Sequence, residues 1–281
     1  MNNDFIVIAG TGYKVNNDFD SSENIFESRN VKINIGCAIA KYLAERGFDL
    51  ILISTTESKL EKITNDLSFL YPNIIIEYFA VNILDEEKTK IFFNELPYNR
   101  IYTYVHCAGL SAGNYKLKND NPYLPIEEIP VNLPIEKFST TVKSLLLMVK
   151  GFLPFFKRQK NSKVIVINSM SGVRPYPYGF SHSSAKGGLH SAVRSLSLEL
   201  AKQNIYFSEI MPGIVDTGMY DNDIVIETVR KIGKEFGYDY DDIPKMNPFS
   251  VAEIVHTCIS SSANILTITV VPNGQWPHIS A

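Results

Sequence analysis

Short apolar runs recur along the chain at spacings too wide for hairpins. FIVIAG (5–10), FDLILIS (48–54), IIIEYFAV (74–81), IYTYVHCAG (101–109), SKVIVINS (162–169), IYFSEI (205–210) and ILTITVV (265–271) are rich in β-branched and aromatic residues. Helix-length segments separate them. Strand alternating with helix predicts parallel strands joined by crossovers, hence a sheet covered on both faces. The intervening pieces carry the longer period. TESKLEKITNDLSFL puts Leu60, Ile63 and Leu67 on one face behind a Ser/Thr start, and SAVRSLSLELAKQ does the same with Val193, Leu196 and Leu200. With no internal repeat and no low-complexity linker, the expected fold class is α/β. One doubly wound domain spans 1–281, with a mainly parallel seven-stranded sheet, helices on both faces and ligand at the carboxyl ends of the strands.

Three segments break the alternation. Residues 11–31 are a polar insertion between the first strand and the helix IGCAIAKYLAERG. Residues 110–136 read as loop, and residues 213–250 follow a Met-Pro-Gly turn. Each leaves the carboxyl end of a strand, so loops of this length are expected to wall or cover a ligand.

Composition narrows the chemistry. The chain has 281 residues, 45% of them apolar, and a formal net charge of −3. That fits a soluble globular protein and gives no basic field for a nucleic acid. No apolar run approaches the ~20 residues of a membrane span, and no basic leader precedes DFIVIAG, so the expected compartment is the cytoplasm. The three cysteines, Cys37, Cys107 and Cys258, and the five histidines are scattered without ligand-like spacing. Neither a disulfide nor a metal site is expected.

A strand that ends in glycines lets a backbone approach a pyrophosphate, and the following helix points its first amides at the negative charge. Gly10, Gly12 and Gly36 suit that role, although the insertion splits them and Asn34 replaces a glycine. Five elements in order resemble the short-chain dehydrogenase/reductase family from about Phe5 to Gly274: IAGTG…INIGCAIAKYLAERG, VHCAG, INSMSG, SHSSAK and IMPGIVDTGM. The resemblance implies a Rossmann-type domain, a nicotinamide cofactor and a small-molecule substrate. Its cofactor residues would be Gly10, Gly12, Asn34, Ile35, Gly36, Ser54, Thr55, Asn82, Ile83, Ala108, Gly109, Lys186, Pro212, Gly213, Val215 and Thr217. No carboxylate at Ser54 or Thr55 repels a ribose 2′-phosphate, which favours NADP(H) over NAD(H).

In the family a serine polarises the substrate oxygen, a tyrosine moves its proton, a lysine tunes the tyrosine and an asparagine supports a water relay. These places fall on Ser169, His182, Lys186 and Thr141. Ser169 precedes His182 by the family's usual separation, so the missing tyrosine is a real exchange. Lys186 should push the His182 pKa down and leave a neutral imidazole. That suits alcohol oxidation with His182 as base, or hydride addition to a conjugated enone, better than a reduction needing an acid. His182 as a bystander in a catalytically idle nucleotide-binding, regulatory or assembly protein is the alternative. Tyr178 could restore a phenol, or it and Tyr176 could form an aromatic wall suited to a cyclic or aromatic substrate. The resemblance also implies a homodimer or homotetramer pairing through FSTTVKSLLLMVKGFLPFF and AKGGLHSAVRSLSLELA.

Overall fold

The computed structural model describes residues 4–97, 100–109, 123–235, 237 and 242–275. All seven expected strands form: β1 (Phe5–Ala9), β4 (Asp49–Ser54), β5 (Ile76–Ala80), β6 (Ile101–His106), β7 (Ser162–Ile167), β8 (Ile205–Pro212) and β9 (Thr267–Val270). They make one parallel sheet in the order β5-β4-β1-β6-β7-β8-β9. The order reverses at β1, which opens a crevice beyond the carboxyl ends of β1 and β6.

Alternation along each strand divides the core in two. Ile6, Ile8, Leu50 and Leu52 face one cluster, with α1 (Ile35–Ala44), α2 (Glu57–Leu70) and α8 (Pro248–Ser260). Phe5, Val7, Ile51 and Ile53 face the other, with α3 (Glu86–Glu95), α5 (Ser144–Phe156) and α6 (Phe180–Leu200). Successive side chains point to opposite faces, so a strand buried on both reads as an unbroken apolar run.

The insertion is more ordered than its polarity suggests. Tyr13–Val15 and Val31–Ile33 pair as an antiparallel hairpin, β2 and β3. Ile25 between them is buried in the first cluster, its amide bonded to Asp66 Oδ2 of α2 at 2.9 Å. Lys59 of α2 donates to the Tyr13 carbonyl at 3.0 Å. The opposite side of the hairpin reaches the loop after β8, where Lys32 pairs with Asp216 at 2.7 Å and Lys14 donates to the Gly218 carbonyl at 3.3 Å.

The other two irregular segments shrink. Within 110–136, residues 110–122 lie outside the described residues. The rest gives a short turn at Ile126–Glu128 and the start of α4 (Asn132–Phe138). Within 213–250 stands α7 (Asp223–Glu235), whose Val225, Val229 and Ile232 pack on Tyr123 and Tyr220. Among the described residues no helix is long and apolar enough to cross a membrane, and no group of metal-ligating side chains gathers.

Candidate active site

Gly10 and Gly36 set the floor of the crevice. Gly10 has φ +98°, and a Cβ there would stand 2.7 Å from the Cys107 carbonyl carbon; one on Gly36 would stand 2.6 Å from the Gly10 oxygen. Only glycine permits this approach of α1 to β1. The split motif is closed by Asn34, the N-cap of α1. Its Nδ2 donates to the Gly10 carbonyl at 2.8 Å, and its Oδ1 accepts from Gly12 N at 3.1 Å and Cys37 N at 2.9 Å. The amides of Ile35 and Gly36, in the first turn, have no intrahelical acceptor and remain for an anion. A glycine-lined turn with free amides at a helix N-terminus fits a dinucleotide pyrophosphate.

From this turn a cavity of about 330 Å³ runs over β6, β7 and β8. Gly10, Asn34, Ile35 and Gly36 line one end, and Ala108, Gly109 and Thr141 one side. Pro212, Gly213, Val215 and Thr217 lie opposite, with Ser169, His182 and Lys186 in the wall between them. Ser169 begins a short turn after β7. Its Oγ accepts from Ser171 Oγ at 2.9 Å and from Ser171 N at 3.2 Å, which leaves its own proton for a ligand oxygen.

Two ammonium groups face the imidazole. Burial, then Lys186, then Lys137 hold His182 at about 3, so it is neutral near pH 7. Burial lowers Lys186 to about 8, and Lys137 adds to that shift, while Cys107 and Glu209 oppose it. Lys186 Nζ donates to the Ile167 carbonyl at 3.4 Å. Burial also lowers Lys137, and pushes the Cys107 thiol, which lines the same cavity, up to about 12.

Between α4 and α5 the helix widens into a π turn at Ser139–Lys143 around Thr141, a local expansion common at functional sites. The Thr141 hydroxyl donates to the Lys137 carbonyl at 2.8 Å and so turns back on its own helix rather than towards a ligand. Beneath the turn, His106 Nδ1 meets Tyr104 Oη at 2.7 Å and its Nε2 meets Ser144 Oγ at 3.3 Å. Burial holds His106 at about 3. Under Lys186, Glu209 of β8 is fully buried, and its Oε2 lies 2.7 Å from His190 Nδ1. Its Oε1 accepts from Asn168 Nδ2, which also donates to the Lys186 carbonyl at 3.1 Å.

Some expected residues stand elsewhere. Tyr178 does not line the cavity that holds Ser169. Its backbone turns left-handed at φ +63°, and its ring lies 5.4 Å from Lys231 Nζ, lining a second hollow with Leu124, Ile126 and Phe180. The phenols that do line the main cavity are Tyr123, Tyr176 and Tyr220. Ser54, Thr55, Asn82 and Ile83 lie outside it as well, because β4 and β5 are on the far side of β1. Ile83 is core, and the Asn82 oxygen caps Leu84 N at 3.1 Å. Gly12 does not line the cavity either; it serves as the partner of Asn34. Sequence reasoning missed Lys137, Ser171 and Glu209. The last carried a signal, an acidic residue in the middle of a strand with no other charged residue.

A glycine turn at the switch point of a parallel sheet, opening into a cavity with serine and lysine, defines a nucleotide-binding α/β enzyme of the doubly wound class. Residues 33–224 match the family described as short chain dehydrogenase, and the chain belongs to that oxidoreductase family. Among its relatives, the 3-oxoacyl-[acyl-carrier-protein] reductase FabG of Aggregatibacter actinomycetemcomitans is 24% identical over 70% of this chain and 78% of its own. An uncharacterized oxidoreductase of Listeria monocytogenes is 26% identical over 86% of this chain and 93% of its own. Of solved structures, an NADPH-bound short chain oxidoreductase of Pseudomonas aeruginosa, containing an atypical catalytic center, superposes with a TM-score of 0.74 at 17% identity, over 97% of both chains. An alcohol dehydrogenase of Thermococcus sibiricus complexed with 5-hydroxy-NADP gives 0.73 at 20%, over 98% of this chain and 99% of that one.

Proposed function

We propose that this protein transfers a hydride between a nicotinamide dinucleotide, NADP(H) in preference to NAD(H), and a small organic substrate, an alcohol or ketone or a conjugated enone. The observation that carries the reading is that Ser169, His182 and Lys186 share one cavity with the Gly10–Gly36 turn. The hydroxyl pair Ser54 and Thr55 at the end of β4 supports the phosphate-bearing cofactor, as do the NADP-type ligands of the two solved relatives.

When bound, the nicotinamide supplies or accepts the hydride. Ser169 donates its free proton to the substrate oxygen and steadies the charge that develops there. His182, neutral, adds a hydrogen bond from whichever nitrogen carries the proton; held at about 3 it is a weak base, so the burden of proton exchange shifts from it. Lys186, at about 8, gains or loses a proton near neutral pH, and it would hold the nicotinamide ribose when the cofactor is bound. Reduction of a conjugated double bond asks least of this site, because carbon takes its proton from solvent.

Titration of the purified protein with NADPH, followed by fluorescence, should show saturable binding, and a panel of ketones, alcohols and enones should show turnover. Ser169→Ala should lower kcat by roughly a hundredfold with nicotinamide affinity kept. Absence of nicotinamide binding would overturn the reading. The imidazole in the phenol's place favours one rival, a nucleotide-binding regulatory or assembly protein, and binding without turnover across the whole panel would select it. We further propose a homodimer or homotetramer paired through α5 and α6, whose Leu146 and Leu198 are exposed.

A further inference from the structure

Lys137 is a surplus cation in the cavity. Its side chain reaches the lining from α4, one turn before Thr141, and the residue is only 5% exposed. Among the described residues its ammonium has no carboxylate and no hydrogen-bond acceptor; only its backbone carbonyl is used, by Thr140 and Thr141. A buried ammonium left unpaired is costly, and such groups persist where something else supplies the counter-charge. Among the described residues the cavity supplies none. Among the described residues its lining holds Lys137, Lys186 and His182 and no aspartate or glutamate; Asp216, beside the lining, pairs through Oδ2 with Lys32 and keeps Oδ1 buried without a partner, and Glu209 bonds His190 and Asn168.

We propose that Lys137 is the anion-binding residue of the substrate pocket and that the substrate is a small carboxylic acid, its carboxylate paired with the Lys137 ammonium. The proposal rests on the hydride-transfer reading above and names the substrate class for it. Lys186 has a separate duty at the nicotinamide ribose in that reading, which leaves Lys137 for the substrate. Tyr123, Tyr176 and Tyr220 line the same cavity and give the rest of the molecule an aromatic wall, the Tyr123 and Tyr176 rings with centroids 5.7 Å apart. The acid is therefore one with a planar or apolar body and its reacting carbon within reach of Ser169.

Calorimetry on the full-length protein with NADP+ present tests this with matched probes, benzoate against benzamide and phenylglyoxylate against its methyl ester. The acid of each pair should bind roughly thirtyfold more tightly or better. Lys137→Met should erase that preference, and Lys137→Arg, which keeps the charge, should retain most of it and show that the fold tolerates change there. Equal binding of acid and neutral partner, no binding of either, or an undiminished preference in Lys137→Met would overturn the proposal. NADPH binding measured alongside separates the two claims. Acid preference without nicotinamide binding removes the hydride-transfer reading alone, and nicotinamide binding without acid preference removes this one alone.

Discussion

Asn34 and Gly12 stand 22 positions apart and bond to each other twice: Asn34 N donates to the Gly12 carbonyl at 2.9 Å, and Gly12 N donates to Asn34 Oδ1 at 3.1 Å. The pair closes the neck of the insertion, so that the glycine turn runs on into α1 as though nothing had been inserted. The same carboxamide caps α1 through Cys37 N. Asn34→Ala removes the cap and the side-chain bonds to Gly10 and Gly12, and leaves the backbone bond to the Gly12 carbonyl. A lost cap costs about 1 kcal/mol, and the neck bonds add to it, so urea unfolding should show a loss of about 1–2 kcal/mol. NADPH affinity should fall as well, and an unchanged affinity would mean that the neck has no bearing on the cofactor turn.

Ile25 makes a second prediction, because it sits in the middle of the polar insertion yet is fully buried. Ile25→Ala leaves a cavity against α2 and should cost about 2–5 kcal/mol. A loss below about 0.5 kcal/mol would return the insertion to the status of a loop lying on the surface.

The contrast between these two residues shows what the sequence carries. The central strands were legible because burial on both faces writes a continuous apolar run, as in Phe5–Ala9 and Asp49–Ser54, and the edge strands β5 and β9, less buried, through their β-branched and aromatic residues. The hairpin was not, since its strands are three residues each and one buried isoleucine leaves no period. The family resemblance places Ser169, His182 and Lys186 through the motifs that end β7 and open α6, and the three line one cavity. Lys137 could not, since a lysine in a short helix ordinarily marks the solvent face, and only packing of α4 against α6 turns it inward. Tyr176 lines the main cavity while Tyr178, in a left-handed turn, lines only the second hollow, a division that no composition rule places.

His182 and His106 make stability depend on acid. Each is held at about 3 in the folded protein and returns to about 6.5 when unfolded. Between those values the unfolded chain binds more protons, so stability is full above pH 6.5 and is lost as pH falls towards 3. The window from pH 6.5 to about 5 isolates the effect, because ordinary carboxylates have yet to protonate. Urea midpoints of the cofactor-free protein should fall across it, and His182→Gln should make the fall shallower. A flat midpoint from pH 7 to 5 would contradict neutral burial of both rings.

Lys186 gives the opposite limb of the profile. Its ammonium, lowered to about 8, is lost as pH rises through that value. If it feeds the proton to the substrate oxygen, kcat for ketone reduction should decline above about pH 8. Lys186→Arg, which stays charged throughout, should flatten that decline while lowering the rate at neutral pH. A profile in the native protein that is level from pH 7 to 9.5 would remove Lys186 from proton transfer and leave it the ribose.

The exchange His182→Tyr tests the site most directly. A phenol placed there would sit beside Lys186 and Lys137, the two ammonium groups that now disfavour a charged imidazole. The same positive charge favours a phenolate, so it would draw the tyrosine pKa down from about 10 towards neutrality. A donor matched to the working pH contributes roughly a hundredfold or more to a proton-coupled step. Ketone reduction should therefore rise at least about tenfold in the variant, whereas enone reduction, which needs no acid, should stay near its starting rate. If both reactions fall together, the pocket has been shaped around the smaller ring. The histidine would then be a fitted part of the site rather than the remnant of a lost one.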